Sequence, residues 1–316
     1  MLRILNKKII FLFAIIALCF CVNANAYEIK ETGSDIKNDF VLEPAKLEVS
    51  LDAGESVDKI LKITNRTDKT LIFYIEVEDF VGSKDSRNTV DLLGSNTSPY
   101  SLKNYIIPEV REFSLDPKEQ IVFTVNITIP IDEVAGGKYG SVLISSASSG
   151  EEYGTKAVSR LGALLFVKVN GDIDYVSELE RFNINNNKKL FVKNEPIKFE
   201  LYSRNEGSVY SNAYGLIEIK NLAGVVVGEI NVEPYFVMPE SLRFREVVWN
   251  RDFMLGRYTA TAFINRGYDN IIDELTVSFW VIPWDILLVI VFSLFILFLI
   301  FRITKFFISR KKNNLS

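Results

Sequence analysis

Enzymatic chemistry at neutral pH usually needs a proton carrier, a nucleophile or a metal ligand set, and this chain is poor in all three. It contains no histidine. That removes Ser–His–Asp and Cys–His hydrolases, His-ligated zinc and most haem sites together. Its two cysteines, Cys19 and Cys21, both fall within the first 26 residues. What remains are carboxylates: Glu76, Glu78 and Asp79 in one cluster, Asp172 and Asp174 in another. Residues two apart in a strand share a face, so Glu76 and Glu78 can turn toward one cation. Calcium, however, wants several oxygens converging on one point. Neither EF-hand nor nonapeptide spacing is present, so no metal or other cofactor is assigned. Two carboxylates without histidine can cleave a glycosidic bond, but no motif here pairs them. The expectation is a protein that is not an enzyme, with a carboxylate-based wall hydrolase as the least favoured rival. Three formal glycosylation sequons, at Asn65, Asn96 and Asn126, read as chance in a chain of bacterial character.

The charge distribution narrows the partners. The first 26 residues carry Arg3, Lys7 and Lys8, and the last fifteen carry Arg302, Lys305, Arg310, Lys311 and Lys312, with no acid in either stretch. Between them, 28 basic residues face 40 acidic ones, a net charge of −12. Phosphate binding draws on clustered Lys and Arg, so nucleic acid is not an expected partner.

The ends set the topology. Residues 1–26 have the form of a signal peptide: a basic start, a 14-residue apolar run over 9–22, and Ala24-Asn25-Ala26 as cleavage site. Near the other end, residues 286–301 are apolar except for Ser293. The stretch 284–303 spans roughly 30 Å as a helix, the thickness of a bilayer core. Trp280 and Trp284 flank its outer side, and Arg302 and Lys305 its inner side. Interfacial indoles and the positive-inside rule make these four the expected membrane-interface residues. The expected localisation is a cell membrane, crossed once, with the ectodomain extracytoplasmic and the C-terminus cytoplasmic.

Between the ends the hydrophobic period is mostly two. Residues 56–64 and 70–78 alternate on either side of the turn 65–69 and read as a hairpin. Further strands are expected at 120–129, 139–145 and 163–169. A break falls at Gly171-Asp172, and the stretch after it is rich in Asn and Lys. Strands then resume at 196–202, 215–221, 225–232, 244–249, 256–264 and 275–280, with a short hairpin turn at Ala223-Gly224. Trp249, Tyr258 and Phe263 are expected in the core. The fold class is therefore all-β: two immunoglobulin-like β-sandwich domains plus one C-terminal transmembrane α-helix. The expected divisions are a linker at 27–38, sandwiches at 39–173 and 174–282, a transmembrane helix at 283–303 and a basic tail at 304–316. A long polar loop at 81–105 is the first place to look for function. The phrase "strand, Asn, turn" occurs in both domains, at Asn65 and at Asn205.

One cadence in the first domain stands out. Leu42-Glu-Pro44 precedes a strand, Asp52-Ala-Gly54 introduces the next, and that strand ends in Asn65. Later come Leu115-Asp-Pro117, a strand closed by Pro130, and Gly136-Gly-Lys-Tyr-Gly140. This layout resembles bacterial surface proteins of the WxL-interacting type, in which a wall-associated sandwich, a second sandwich and a basic-tailed anchor follow a leader. The same cadence occurs in the N-terminal domain of pilus chaperones, which are soluble whereas this chain has an anchor. The resemblance implies binding to cell wall peptidoglycan or to another surface protein, by loops or by strand addition at a sheet edge. The alternative is an accessory subunit of a membrane complex.

Overall fold

A computed structural model describes residues 27–148, 159–192, 196–251 and 255–313. The expected signal peptide, residues 1–26 with Ala24 and Ala26 at its cleavage site, lies outside them. The described chain is mostly strand, with short 3-10 turns and one long C-terminal helix. It divides into two units. The first runs up to Asp79 and adds Ser101–Glu133 and Tyr139–Val167; the second gathers Phe80–Tyr100, Val134–Lys138 and the chain from Lys168.

In the first unit, β1 (Glu28–Glu31), β2 (Phe40–Glu43), β4 (Ser56–Asn65), β7 (Ile106–Pro108) and β9 (Glu119–Thr128) form one sheet, ordered β1-β9-β4-β2 with β7 also on β9. β3 (Lys46–Leu51), β5 (Leu71–Gly82), β8 (Glu112–Leu115), β10 (Gly136–Ser148) and β11 (Ser159–Val169) form the other, ordered β3-β11-β10-β5 with β8 also on β5; β6 (Val90–Leu92), paired with the end of β5, belongs to the second unit. Alternation builds the core. In β9 the inward residues Ile121, Phe123, Val125 and Ile127 are all buried. An aromatic file crosses the sandwich: Phe40 meets Phe73 edge-on at 5.2 Å, Phe73 stacks on Phe113 at 5.3 Å, and Phe113 reaches Phe123 at 6.3 Å.

The second unit repeats the scheme. β12 (Ser177–Ile184), β14 (Ile197–Asn205) and β17 (Ser241–Trp249) form a three-stranded sheet. β13 (Leu190–Val192), β19 (Ile272–Ile282), β18 (Gly256–Asn265), β15 (Ser211–Asn221) and β16 (Val226–Val237) form, in that order, a five-stranded one. Phe199 and Phe279 join the sheets at 6.2 Å, and Trp249 packs on Tyr258 and Phe279. The helix α1 (Trp284–Asn313) follows β19 directly.

Several sequence expectations change here. β4 and β5 are not a hairpin. β4 pairs with β2 and β9, whereas β5 pairs with β6, β8 and β10 in the opposite sheet. The turn at 65–69 is thus an arch between sheets. Its pivot is Asn65, fully buried, which donates from Nδ2 to Lys69 O and Leu115 O at 2.9 Å each and accepts the Thr67 N–H at 3.0 Å. Burial also means Asn65 presents no sequon to solvent. The hairpin expected around Ala223-Gly224 is present, as β15 against β16. Residues 28–31, read as linker, form an edge strand on β9. The Asn/Lys-rich stretch after Gly171 contains β12 and β13, whose mixed polarity hid them. Phe263 lies on the outward face, alternating with buried Ala262 and Ile264. The loop at 81–105 contains β6, which pairs back onto Phe80–Gly82.

Candidate functional site: the exposed helix and the open strand edges

The carboxylates can be judged first. Glu76 and Glu78 do share a face of β5, but the Arg160 guanidinium bridges them at 2.7 and 2.5 Å. A cation already sits where an ion would bind, and the two acids hold Arg160 above its ordinary pKa through the Glu78 hydrogen bond first. Asp79 points the opposite way, into the interior. It accepts hydrogen bonds from Ser101 Oγ and from the backbone N–H groups of Leu102 (2.8 Å) and Lys103 (2.7 Å), with Lys103 Nζ at 3.9 Å. Its carboxylate fastens the end of the long loop. Asp172 and Asp174 are exposed, and Asp174 makes backbone contacts to Ser208. Among the described residues no group of three metal-ligating side chains converges. A cavity of about 300 Å³ beside β12 and β19 is lined by Phe182, Asn183, Asn187, Lys188, Lys189 and Ser278, among others. It holds no acid.

The long loop is held at its end. Tyr100 Oη donates to Glu240 at 3.0 Å, and burial together with that carboxylate pushes the phenol up to about 12. Tyr105 donates to Glu133 at 2.7 Å, and that bond, with burial, raises it to about 12 as well. Both phenols stay protonated donors across the neutral range.

The strand edges differ in how they are guarded. Exposed edges invite pairing by other chains and are commonly blunted with charge, proline or bulges. β16 and β17 are long edges of the second unit, and both are blunted. β16 contains Pro234 and its pairing with β15 slips at two places. β17 turns Arg243 and Arg245 toward the interior, in register with Ser203 and Leu201 of β14. Arg243 donates to Phe236 O, lies over the Phe236 ring at 4.5 Å, and is driven below its ordinary pKa by burial and then by Arg245. β3 of the first unit, the six residues Lys-Leu-Glu-Val-Ser-Leu, contains no proline and is paired among the described residues only with β11; its two charges, Lys46 and Glu48, pair with each other at 2.6 Å. Leu47 and Val49 on its inner face are only half-buried.

The most exposed apolar element is α1. Leu287–Lys305 is a 19-residue span of which no part is buried. Trp280, on β19, and Trp284, the first residue of α1, are each half exposed, while Arg302 and Lys305 are exposed on the helix. Trp280 and Trp284 thus stand at the start of the apolar span, and Arg302 and Lys305 lie within α1 at its end. α1 also runs on through the basic stretch to Asn313. Trp249 and Tyr258, in contrast, are core.

No family model matches the chain, and no curated protein sequence matches it. Solved structures that align with it include a chaperone–tip subunit pre-assembly complex of archaic chaperone-usher pili from Acinetobacter baumannii (12% identity, 78% of this chain and 100% of that one, TM-score 0.37). The Escherichia coli chaperone DraB aligns at 14% identity over 77% and 96% with a TM-score of 0.36. The Salmonella enterica SafA pilin–SafB chaperone complex aligns at 12% over 78% and 100% with a TM-score of 0.35. These findings correct the sequence resemblance. The aligned structures are of pilus chaperones and not of WxL-interacting surface proteins, and no sequence comparison supports the latter. Turn prolines and glycines recur in unrelated sandwiches for backbone reasons, so the cadence did not specify a family. At such scores the likeness says nothing of what this chain binds.

Proposed function

We propose that the chain is a membrane-anchored, non-catalytic binding protein whose sandwich units meet a protein partner outside the cytoplasm. The observation that carries this reading is α1. An apolar helix of 19 residues, roughly 28 Å long, with none of its surface buried matches a bilayer core about 30 Å thick. Exposing that surface to water would cost about 25 cal/mol per Å², so a soluble resting state is disfavoured. Binding as opposed to catalysis is supported by the Glu76, Glu78 and Asp79 carboxylates, which are tied to Arg160 or to backbone N–H groups. The β3 edge would be the contact surface: it contains no proline and leaves Leu47 and Val49 half-buried, whereas β16 contains Pro234 and β17 turns Arg243 and Arg245 inward. A partner strand would gain ladder hydrogen bonds along β3 and cover Leu47 and Val49.

The test uses the full-length protein in its own membrane. A photo-crosslinking residue at Leu47 or Val49 should give a discrete adduct with one protein, and the same residue at Glu229 on β16 should not. Equal labelling from both positions would sink the edge assignment. Extraction of the protein by alkaline carbonate would sink the anchor.

A further inference from the structure

The strands of the second unit bring three strand ends or tips to the end from which α1 leaves. In the five-stranded sheet, Val281 is in register with Gly256, Tyr258 with Asn221, and Ile282 with Val192. The β15–β16 tip, the start of β18 and the end of β13 therefore lie level with the helix exit. Arg251 Nη1 donates to Val227 O at 2.9 Å, which brings Arg251, just past the end of β17, beside the same tip.

The side chains at that end have an unusual pattern. The β15–β16 tip is rigid: Asn221 Oδ1 accepts the N–H groups of Ala223 and Val225 at 3.0 Å each, and Gly224 takes φ +78°. Such a tip has no need of apolar side chains, yet it projects Leu222, 74% exposed, and Val225, 58% exposed. Leu255, at the start of β18 and 56% exposed, adds a third. The outer face of the sheet shows a gradient toward the same end. Thr261 faces Thr276 and Thr259 faces Ser278 with hydroxyls 3.2 Å apart, and then Arg257 faces Trp280. Lys189, exposed, accepts the Trp280 N–H on its carbonyl at 2.8 Å. Hydroxyls give way to indole, guanidinium, ammonium and aliphatic tips as the strands approach α1.

We propose that this end of the second unit is itself a membrane-contact surface: Leu222, Val225 and Leu255 enter the headgroup–acyl boundary, and Arg257 and Lys189 meet anionic lipid headgroups. The inference rests on the anchoring reading of α1, which puts a bilayer at this end. Aliphatic tips gain from leaving water, basic residues gain from anionic headgroups within a Debye length, and indoles favour the interface. Their combination on the strand ends around one helix fits a lipid surface. The second unit is then held against the bilayer by several points instead of swinging on a single tether.

The experiment uses full-length protein with Cys19 and Cys21 replaced by serine, reconstituted in phosphatidylcholine vesicles with and without phosphatidylglycerol. Single cysteines at Leu222, Leu255, Ile272 and Ser293 carry an environment-sensitive fluorophore. Ile272 is an equally exposed apolar residue at the opposite end of β19, roughly 30 Å away. The expected result is quenching by headgroup-proximal nitroxide lipid at Leu222 and Leu255, none at Ile272, and quenching by deep nitroxide lipid at Ser293. Replacing Lys189 and Arg257 with Gln should weaken the phosphatidylglycerol-dependent quenching at Leu222 about fivefold per charge, as about 1 kcal/mol for each basic residue implies. If Leu222 and Leu255 behave like Ile272 while Ser293 is quenched, the contact surface is overturned and the anchor stands. If Ser293 is not quenched, both fail.

Discussion

In the first unit, β4 ends at Asn65, whose Nδ2 reaches Lys69 O and Leu115 O and whose Oδ1 takes the Thr67 N–H. In the second, β14 ends at Asn205, whose Nδ2 reaches Val209 O and Val237 O at 2.8 Å each and whose Oδ1 takes the Gly207 N–H at 2.9 Å. The correspondence continues downstream. Leu115 closes β8 and Val237 closes β16, and each strand passes through a Pro-x turn into the opposite sheet: Pro117-Lys118 before β9, Pro239-Glu240 before β17. Lys118 and Glu240 share positive φ, +69° and +54°. The two units are built on one corner, a buried amide that stitches a strand end to a strand end far along the chain. They differ at the turn. The Glu240 side chain also accepts the Tyr100 hydroxyl, whereas Lys118 is held through its backbone, donating to Asn65 O and accepting the Thr32 N–H at 2.9 Å each.

This comparison can be broken in order of effect. Phe73→Ala and Phe199→Ala remove fully buried rings from the two cores, and each should cost about 3–5 kcal/mol. Thermal unfolding of the full-length protein in detergent, followed by near-UV circular dichroism, would measure it; a loss below about 1 kcal/mol in either would mean that core is not packed as described. Asn65→Ala and Asn205→Ala should each cost roughly 2–4 kcal/mol, because buried carbonyls lose their donors. Hydrogen exchange should show the loss around β4 and β8 for the first and around β14 and β16 for the second. Matching losses would confirm one corner used twice, and a silent variant would break the equivalence.

The turn residues sharpen it. Left-handed backbone costs a non-glycine residue about 1–2 kcal/mol, and glycine returns about 0.5–1 of that as lost chain entropy. Lys118→Gly should therefore raise stability by up to about 1 kcal/mol. Glu240→Gly should gain less, since it also releases Tyr100; equal gains would show the Tyr100 contact to be idle. The smallest effect concerns pH. Tyr100 and Tyr105 have folded pKa values of about 12, raised above the ordinary 10.0. Each contribution is complete below pH 10 and is lost as pH rises through about 12. Tyrosinate absorbance should titrate late for both, and Tyr105→Phe should remove one late component. Ordinary titration of both phenols would show that the loop is not held at these points.

Much of this was legible beforehand. Period-two alternation in 120–129 and 256–264 located β9 and β18, and the apolar stretch near the C-terminus located α1. Strands with mixed polarity, such as β12 and β13, were not legible, because short strands with polar outward faces resemble loops. The shared phrase at Asn65 and Asn205 was visible, but its role was not. Carboxylate spacing placed Glu76 beside Glu78 without revealing Arg160, which comes from 82 residues further along the chain.

Alternation and hydrophobicity are local properties of the chain, so the faces of the long strands and the place of an apolar helix could be read from it, although Phe263, expected in the core, faces outward. The three-dimensional fold was needed to show that β4 and β5 lie in different sheets, that Asp79 turns inward while Glu78 turns out to Arg160, and which tips stand level with the start of α1. A period of two states the face of a strand but not its neighbour. The neighbour is chosen by partners distant in sequence, such as the carbonyl of Leu115 for Asn65 and that of Val237 for Asn205, and no local pattern records them.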